Sequence, residues 1–267
     1  MKQMTIEDIH HSLLGIAEEM HKICVKHDVP YYMLGGTMLG AIRHKGFIPW
    51  DDDMDFGVPR SYYIHLRSFL EKELPERYHV VCEDWVAPIA FFKIEDTETL
   101  IYQTSSKRKD LSVGLNIDVF PLDNCTLDSH ILKPIYEQQR WLNAIHNACF
   151  TNMHGFSFFK RLVMHAIKIF YPISKEKWLL KFKRLESKLS ATGEEGMVNF
   201  SGIYKMKEVL DKKIFGIPQL YDFEDTELYG PEDADAFLRQ LYGNYMILPP
   251  ENQRRLHSLS SYYKDNV

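Results

Sequence analysis

The chain has 267 residues, 45% of them apolar and 26% charged, the composition of an ordinary soluble enzyme long enough to bury a full core. Its net charge of −5 argues against a globally basic nucleic-acid binder, so no nucleic-acid partner is expected. Cys24, Cys82, Cys125 and Cys149 form no CxxC pair, the N-terminus lacks the apolar core of a signal peptide, and no run of about 18 uncharged apolar residues occurs; the expectation is a cytoplasmic protein with free thiols.

Thr5, followed by Glu7 and Asp8, opens a predicted helix whose apolar residues recur as Ile9, Leu13, Ile16, Met20 and Ile23 and which ends near His27. Residues 31–34 read as a short buried strand. Gly35 and Gly36 then turn the chain into a second short helix over 37–43. After a loop holding Gly46 and Pro49, residues 54–58 read as a strand, and Pro59 suits the first turn of a further helix. Strand patterns follow at 79–82, 89–94, 99–103 and 113–120. This order predicts an α+β fold, a small mixed sheet with helices packed on it.

From about residue 128 to 189 the pattern is helical. Residues 155–190 hold nine Lys or Arg against two Glu, a local balance of +7 that leaves −12 for the rest. Within it Lys160, Arg161 and Lys168 alternate with bulky apolar residues. Two readings stand: a helix packing its apolar side on the core, or one lying on an anionic membrane, where each basic residue contributes about 1 kcal/mol. Three regions are expected: a catalytic core over 1–125, a basic helical region over 126–195, and a mixed segment over 196–267 packing on the core.

The chemistry concentrates in residues 34–58, LGGTMLGAIRHKGFIPWDDDMDFGV. On a strand, Asp53-Met54-Asp55-Phe56 sends both carboxylates to one face and both apolar groups to the other. Two such carboxylates repel by roughly 2–3 kcal/mol at about 6 Å with an effective dielectric near 20, which a divalent cation relieves. A calcium loop fails on detail, because Phe56 stands where the turn glycine belongs and Tyr62 where the terminal glutamate belongs. A solvated acidic turn leaves the interleaved Met54 and Phe56 unexplained. Mg²⁺, or Mn²⁺, is the expected cofactor, since the ligands are all oxygen.

Gly35-Gly36-Thr37, between strand and helix, is placed to offer backbone N–H groups to a phosphate, although many tight turns use a glycine pair. Arg43, His44 and Lys45 add positive charge, or form an exposed basic loop. Asp118, set among Ile117, Val119 and Phe120, is the expected third metal ligand, because such an acid is costly to bury without a cation. Asp123 is the second choice. Lys93, isolated on an apolar strand, faces the same cleft or snorkels at an edge. His146 and Cys149, at helical spacing, read as core rather than zinc ligands. No GxSxG and no GxxxxGK[ST] occurs.

The 34–58 block, with LNIDVFPLD and the later YGNYMILPPENQRRLH, resembles the LicD family of phosphocholine transferases, to which the fukutin-type ribitol-phosphate transferases are related. The resemblance spans nearly the whole chain. It implies a nucleotidyltransferase-like fold and transfer of a phospho-substituent from a CDP-linked donor to a sugar hydroxyl of a surface glycan. It maps the turn glycines onto Gly35 and Gly36, the paired acids onto Asp53 and Asp55, and the later acid onto Asp118. One departure is that 16 residues separate Gly36 from Asp53, a segment holding Arg43 and Trp50. The expectation is Mg²⁺-dependent transfer of phosphocholine from CDP-choline to a glycan such as teichoic acid, free or lipid-linked. Asp53, Asp55 and Asp118 would be catalytic and metal-binding, and Gly35, Gly36, Thr37, Arg43 and Lys93 would bind the donor. Choline, a quaternary ammonium, calls for aromatic faces, with Trp50, Trp85 and Tyr102 as candidates. The alternatives are a ribitol or glycerol donor, or a catalytically silent glycan-binding scaffold.

Overall fold

The computed structural model describes residues 2–82, 88–102, 113–151, 156–254 and 260–264. Helix α1 (Ile6–Lys26) begins with a reciprocal cap: the Asp8 N–H donates to the Thr5 hydroxyl at 3.1 Å and the Thr5 N–H to the Asp8 carboxylate at 2.9 Å. Its stripe of Leu13, Ile16, Met20 and Ile23 is buried. Strand β1 (Tyr32–Met33), helix α2 (Gly35–His44), strand β2 (Asp55–Pro59) and helix α3 (Arg60–Glu73) follow. Helix α2 starts two residues earlier than the turn reading expects. The glycine pair is therefore the helix's first turn.

Strands β3 (Tyr78–Val81), β4 (Phe92–Asp96), β5 (Thr99–Tyr102) and β6 (Asn116–Cys125) precede three helices, α4 (Ser129–Phe150), α5 (Phe158–Phe170) and α6 (Lys175–Ser190). The last third brings β7 (Gly196–Asn199), a 3-10 turn (Lys205–Glu208), β8 (Leu210–Asp211), α7 (Lys212–Phe215), β9 (Gln219–Phe223), β10 (Thr226–Gly230), α8 (Ala234–Tyr242) and β11 (Ser260–Tyr263).

The main sheet runs β1-β2-β6-β4-β3, with β7 also on β6 and β8 beyond it. Strand β6 is its hub. One edge pairs with β2 in parallel, placing Asp55 opposite Asp118; the other pairs antiparallel with β4, placing Lys93 opposite Asp118, and further along with β7. The period of two sorts the faces. Met54, Phe56 and Val58, with Ile117 and Val119, are fully buried on the core side, where α1 and α3 pack. Each such side chain contributes about 1.5–3 kcal/mol by leaving water. The acids between them point to the other face.

A second apolar cluster lies under α4 and α6, where Leu132, Ile135, Trp178, Phe182 and Leu189 meet Cys125, Val198 and Phe200. Helix α5 is different. No residue of it is buried, and Phe158, Phe159, Ile169 and Phe170 are 73–77% exposed. The helix packs beside α4 with Met164 and Ile167 half-buried and adds no residue to either apolar cluster, whereas α6 of the same basic stretch packs on the core through Trp178, Phe182 and Leu189. No helix among the described residues is long and apolar enough to cross a membrane.

Candidate active site

Three neighbouring strands carry a row of charges at one level of the sheet: Asp55 on β2, Asp118 on β6 and Lys93 on β4. Backbone bonds set the level, with the Leu34 N–H donating to the Asp55 carbonyl and the Asp118 N–H to the Met54 carbonyl, both at 2.9 Å. The Lys93 ammonium forms an ion pair with Asp118 and donates to the Asn116 side chain at 3.0 Å. Asp55 is pushed well above the usual carboxylate range, first by burial, then by Asp53 and Asp118, with Lys93 opposing. Burial also raises Asp118, against the pull of Lys93. Burial thus disfavours the ionised form of both carboxylates in the row, and Lys93 opposes it.

The Asp55–Asp118 part of the row opens into a cavity of about 420 Å³, while Lys93 lies outside its lining. Asp51 and Asp53 line it with Asp55 and Asp118, so four carboxylates face one space. Gly35 and Gly36, at the N-terminal end of α2, form part of the wall. Gly35 has φ of +48°, a conformation glycine adopts freely. A Cβ on Gly36 would stand 2.6 Å from the Asp51 carboxylate, so only glycine lets the acid come this close to the helix end. The set is all oxygen and suits a hard divalent cation. With Asp118 turned onto Lys93, no group of three or more Asp, Glu, His or Cys among the described residues stands in coordinating geometry.

The other predicted residues have different tasks. The Thr37 hydroxyl accepts the Asp55 N–H at 2.9 Å and fixes the start of β2, so it does not line the cavity. Arg43 lies outside the lining as well, its guanidinium donating to the Tyr245 carbonyl at 2.9 Å. Asp123 is bound by Arg60, with Nε at 2.7 Å and Nη2 at 2.6 Å, a structural pair away from the row. Trp50 lies under Arg254, 4.8 Å from ring centroid to Cζ, rather than in the cavity. Trp85 and the side chain of Tyr102 lie outside the described residues. The His146 Nε2 is 3.0 Å from the Pro88 carbonyl, and its ring packs on Trp178.

The sequence reading passed over the opposite wall, which comes from the last third of the chain. Asn199, Ser201, Tyr204, Glu208 and Tyr242 line it, above a floor that includes Phe120 and Leu122. Tyr242 belongs to the YGNY block, the one signal that pointed there.

Residues 28–163 match the family model described as LicD/FKTN/FKRP, nucleotidyltransferase domain. Among curated proteins, the chain is 26% identical to the lipopolysaccharide cholinephosphotransferase LicD of Haemophilus influenzae, over 98% of this chain and 99% of that one. It is also 31% identical over 119 residues to an uncharacterized protein of Rickettsia typhi, covering 42% of this chain and 34% of that one. A 59-residue match to an uncharacterized protein of Rickettsia prowazekii is 41% identical and covers 22% of each.

Proposed function

The chain belongs to the LicD/FKTN/FKRP family, and on that premise we propose that it transfers phosphocholine from CDP-choline to a sugar hydroxyl of a surface glycan, releasing CMP. The row of Asp55, Asp118 and Lys93, whose two acids open into a cavity that Asp51 and Asp53 also line, carries this reading. So does the near-full-length similarity to a cholinephosphotransferase. The nucleotidyltransferase-like character of the sheet is part of the same proposal.

The acceptor oxygen attacks the phosphorus that bears choline. The bond from that phosphorus to the CMP oxygen breaks, and CMP leaves with the bonding pair. Asp118 accepts the hydroxyl proton, its basicity raised by burial and its carboxylate steadied by Lys93. Asp53 and Asp55, with Asp118, would hold Mg²⁺ or Mn²⁺, which when bound neutralises charge on the diphosphate and on the leaving CMP. The residues fit such an ion, because burial and the neighbouring acids disfavour the ionised Asp55 that a cation would restore. Gly35 and Gly36 bring the positive end of α2 to the same space, where it favours a phosphate.

The test is CMP release from CDP-choline with Mg²⁺ and either lipopolysaccharide or a teichoic-acid-type glycan. Release that needs acceptor and stops with EDTA is expected. Release from CDP-ribitol or CDP-glycerol but not CDP-choline would reassign the donor, and no release from any of them would leave a glycan-binding scaffold.

We further infer that α5 rests on an anionic membrane surface, where a lipid-linked acceptor would be met. Its exposed phenylalanines suit the headgroup boundary, and Lys160, Arg161 and Lys168 suit lipid phosphates. A pocket at its C-terminal end adds Lys177, Lys181 and Arg184 beside Phe170 and Tyr171.

A further inference from the structure

The wall facing the acid row has its own chemistry. Tyr204 and Tyr242 stand edge to face, ring centroids 5.3 Å apart at 80°, with their hydroxyls hydrogen-bonded. Glu208 lines the same cavity and is buried, its carboxylate accepting the Tyr204 N–H at 2.8 Å. That bond ties acid and aromatic together. Burial lifts the Glu208 carboxyl to about 7, with the Tyr204 N–H opposing. Among the described residues no Lys or Arg lines this cavity. A carboxylate kept out of water beside two crossed rings, with no cation of the protein in the cavity, is arranged for a cation brought by a ligand.

We propose that Tyr204, Tyr242 and Glu208 form the pocket for the trimethylammonium group of the donor. This rests on CDP-choline being the donor. A quaternary ammonium has no N–H to donate, so hydrogen-bond acceptors cannot single it out. Ring faces and a desolvated negative charge can. The acid row holds the diphosphate, and the crossed tyrosines, which feel Asp51 and Asp55 from across the cavity, receive the choline end. A cation seated there lies beside the Glu208 carboxylate that the Tyr204 N–H holds in place. The pocket thus selects choline over headgroups of similar size that carry hydroxyls alone, such as glycerol.

Glu208 also braces the turn that carries Tyr204, so the test separates charge from bracing. Glu208→Gln keeps an acceptor oxygen and the side-chain volume, and Tyr204→Leu removes the ring. Dissociation constants are measured by calorimetry with Mg²⁺, without acceptor, for CDP-choline, its neutral isostere carrying tert-butyl in place of trimethylammonium, and CMP. The wild type is expected to prefer CDP-choline over the isostere by roughly tenfold or more. In each variant that ratio should fall to within about twofold of one, with CMP affinity unchanged. If Tyr204→Leu fails to fold in a melting scan, Glu208→Gln decides alone. A wild type without preference overturns the pocket, while the donor assignment stands or falls on CMP release from CDP-choline. A wild-type preference that survives in the folded variants overturns the pocket and leaves the donor standing.

Discussion

Asp55 and Asp123 are acids on paired strands, held in opposite ways. Asp123 has a bidentate guanidinium and the Ser190 hydroxyl at 3.2 Å, whereas Asp55 faces Asp53 and Asp118. Asp123→Asn should therefore lower stability by about 1–3 kcal/mol, because Arg60 loses its bidentate partner and keeps only Glu186 at 2.9 Å, while Mg²⁺ still raises the melting temperature. Asp55→Asn should melt higher without metal and lose the Mg²⁺-induced rise, which in a competent site reaches about 2.7 kcal/mol at 100 times Kd. Equal Mg²⁺ shifts in both variants would remove Asp55 from the metal site. Glu208 makes a third contrast. Its pKa rises from 4.5 unfolded to about 7 folded, so the fold binds the proton more tightly. Stability is lost as pH climbs from about 4.5 to 7 and stays lost above. Tyr136 and Tyr204, the titratable groups that feel Glu208, stay neutral there. Glu208→Gln should thus be near neutral at pH 4 and stabilising by about 3 kcal/mol at pH 8, read by urea melts. The side-by-side placement of Asp55 and Asp118 was legible because acids interleave with apolar residues on their strands, whereas Asp53 lies exposed just ahead of β2. Glu208, in KMKEVL, carries no such pattern, and its burial comes from residues far away in sequence.

The elements of the first 125 residues follow from periodicity, since amphipathic strands and a capped helix encode their own faces. β8 does not, being two residues long and held by its neighbour. β7 escapes for a related reason: all four of its residues are buried, so no alternation marks it. The order of the sheet is also hidden, because a parallel β2–β6 pair depends on everything between them. Helix α2 shows how closely these elements are fitted. A Cβ on Gly40 would strike the Gly46 carbonyl oxygen, in the loop that leads to Ile48 and Asp51. Gly40→Ala should lower stability by about 1–3 kcal/mol from overpacking, although alanine is the better helix former by about 1 kcal/mol. Denaturant unfolding measures the sign, and a stabilised variant would show that the loop yields.

At the scale of the molecule, charge is segregated. Residues 155–190 carry +7 while the rest carries −12, and the basic part includes α5, whose Phe158, Phe159, Ile169 and Phe170 are exposed. Reversing Lys160, Arg161 and Lys168 to Glu should weaken binding to vesicles of anionic lipid, by about 1 kcal/mol per residue at low salt and less as salt screens it. Turnover of a soluble acceptor should stay near wild type, because the acid row lies elsewhere. A wild type that sediments without the vesicles' help and ignores them would assign the face to self-association instead. The segment's composition was legible; its exposure was not, since a core helix and a membrane-lying helix share the same apolar stripe.

The cavity is lined from Leu34 to Tyr242, and its two central acids lie 63 positions apart on adjacent strands. Such non-local closure orders events during synthesis and folding. A chain grown only to residue 163 has the acid row but lacks Met197, Leu210, Phe215 and Phe237, all of them core residues. Fragment 1–163 should exchange its strand amides quickly and show no Mg²⁺-dependent protection, whereas the full chain protects them. While the nascent chain is short its acids remain hydrated, and the cavity they line is completed only once Tyr242 has been added.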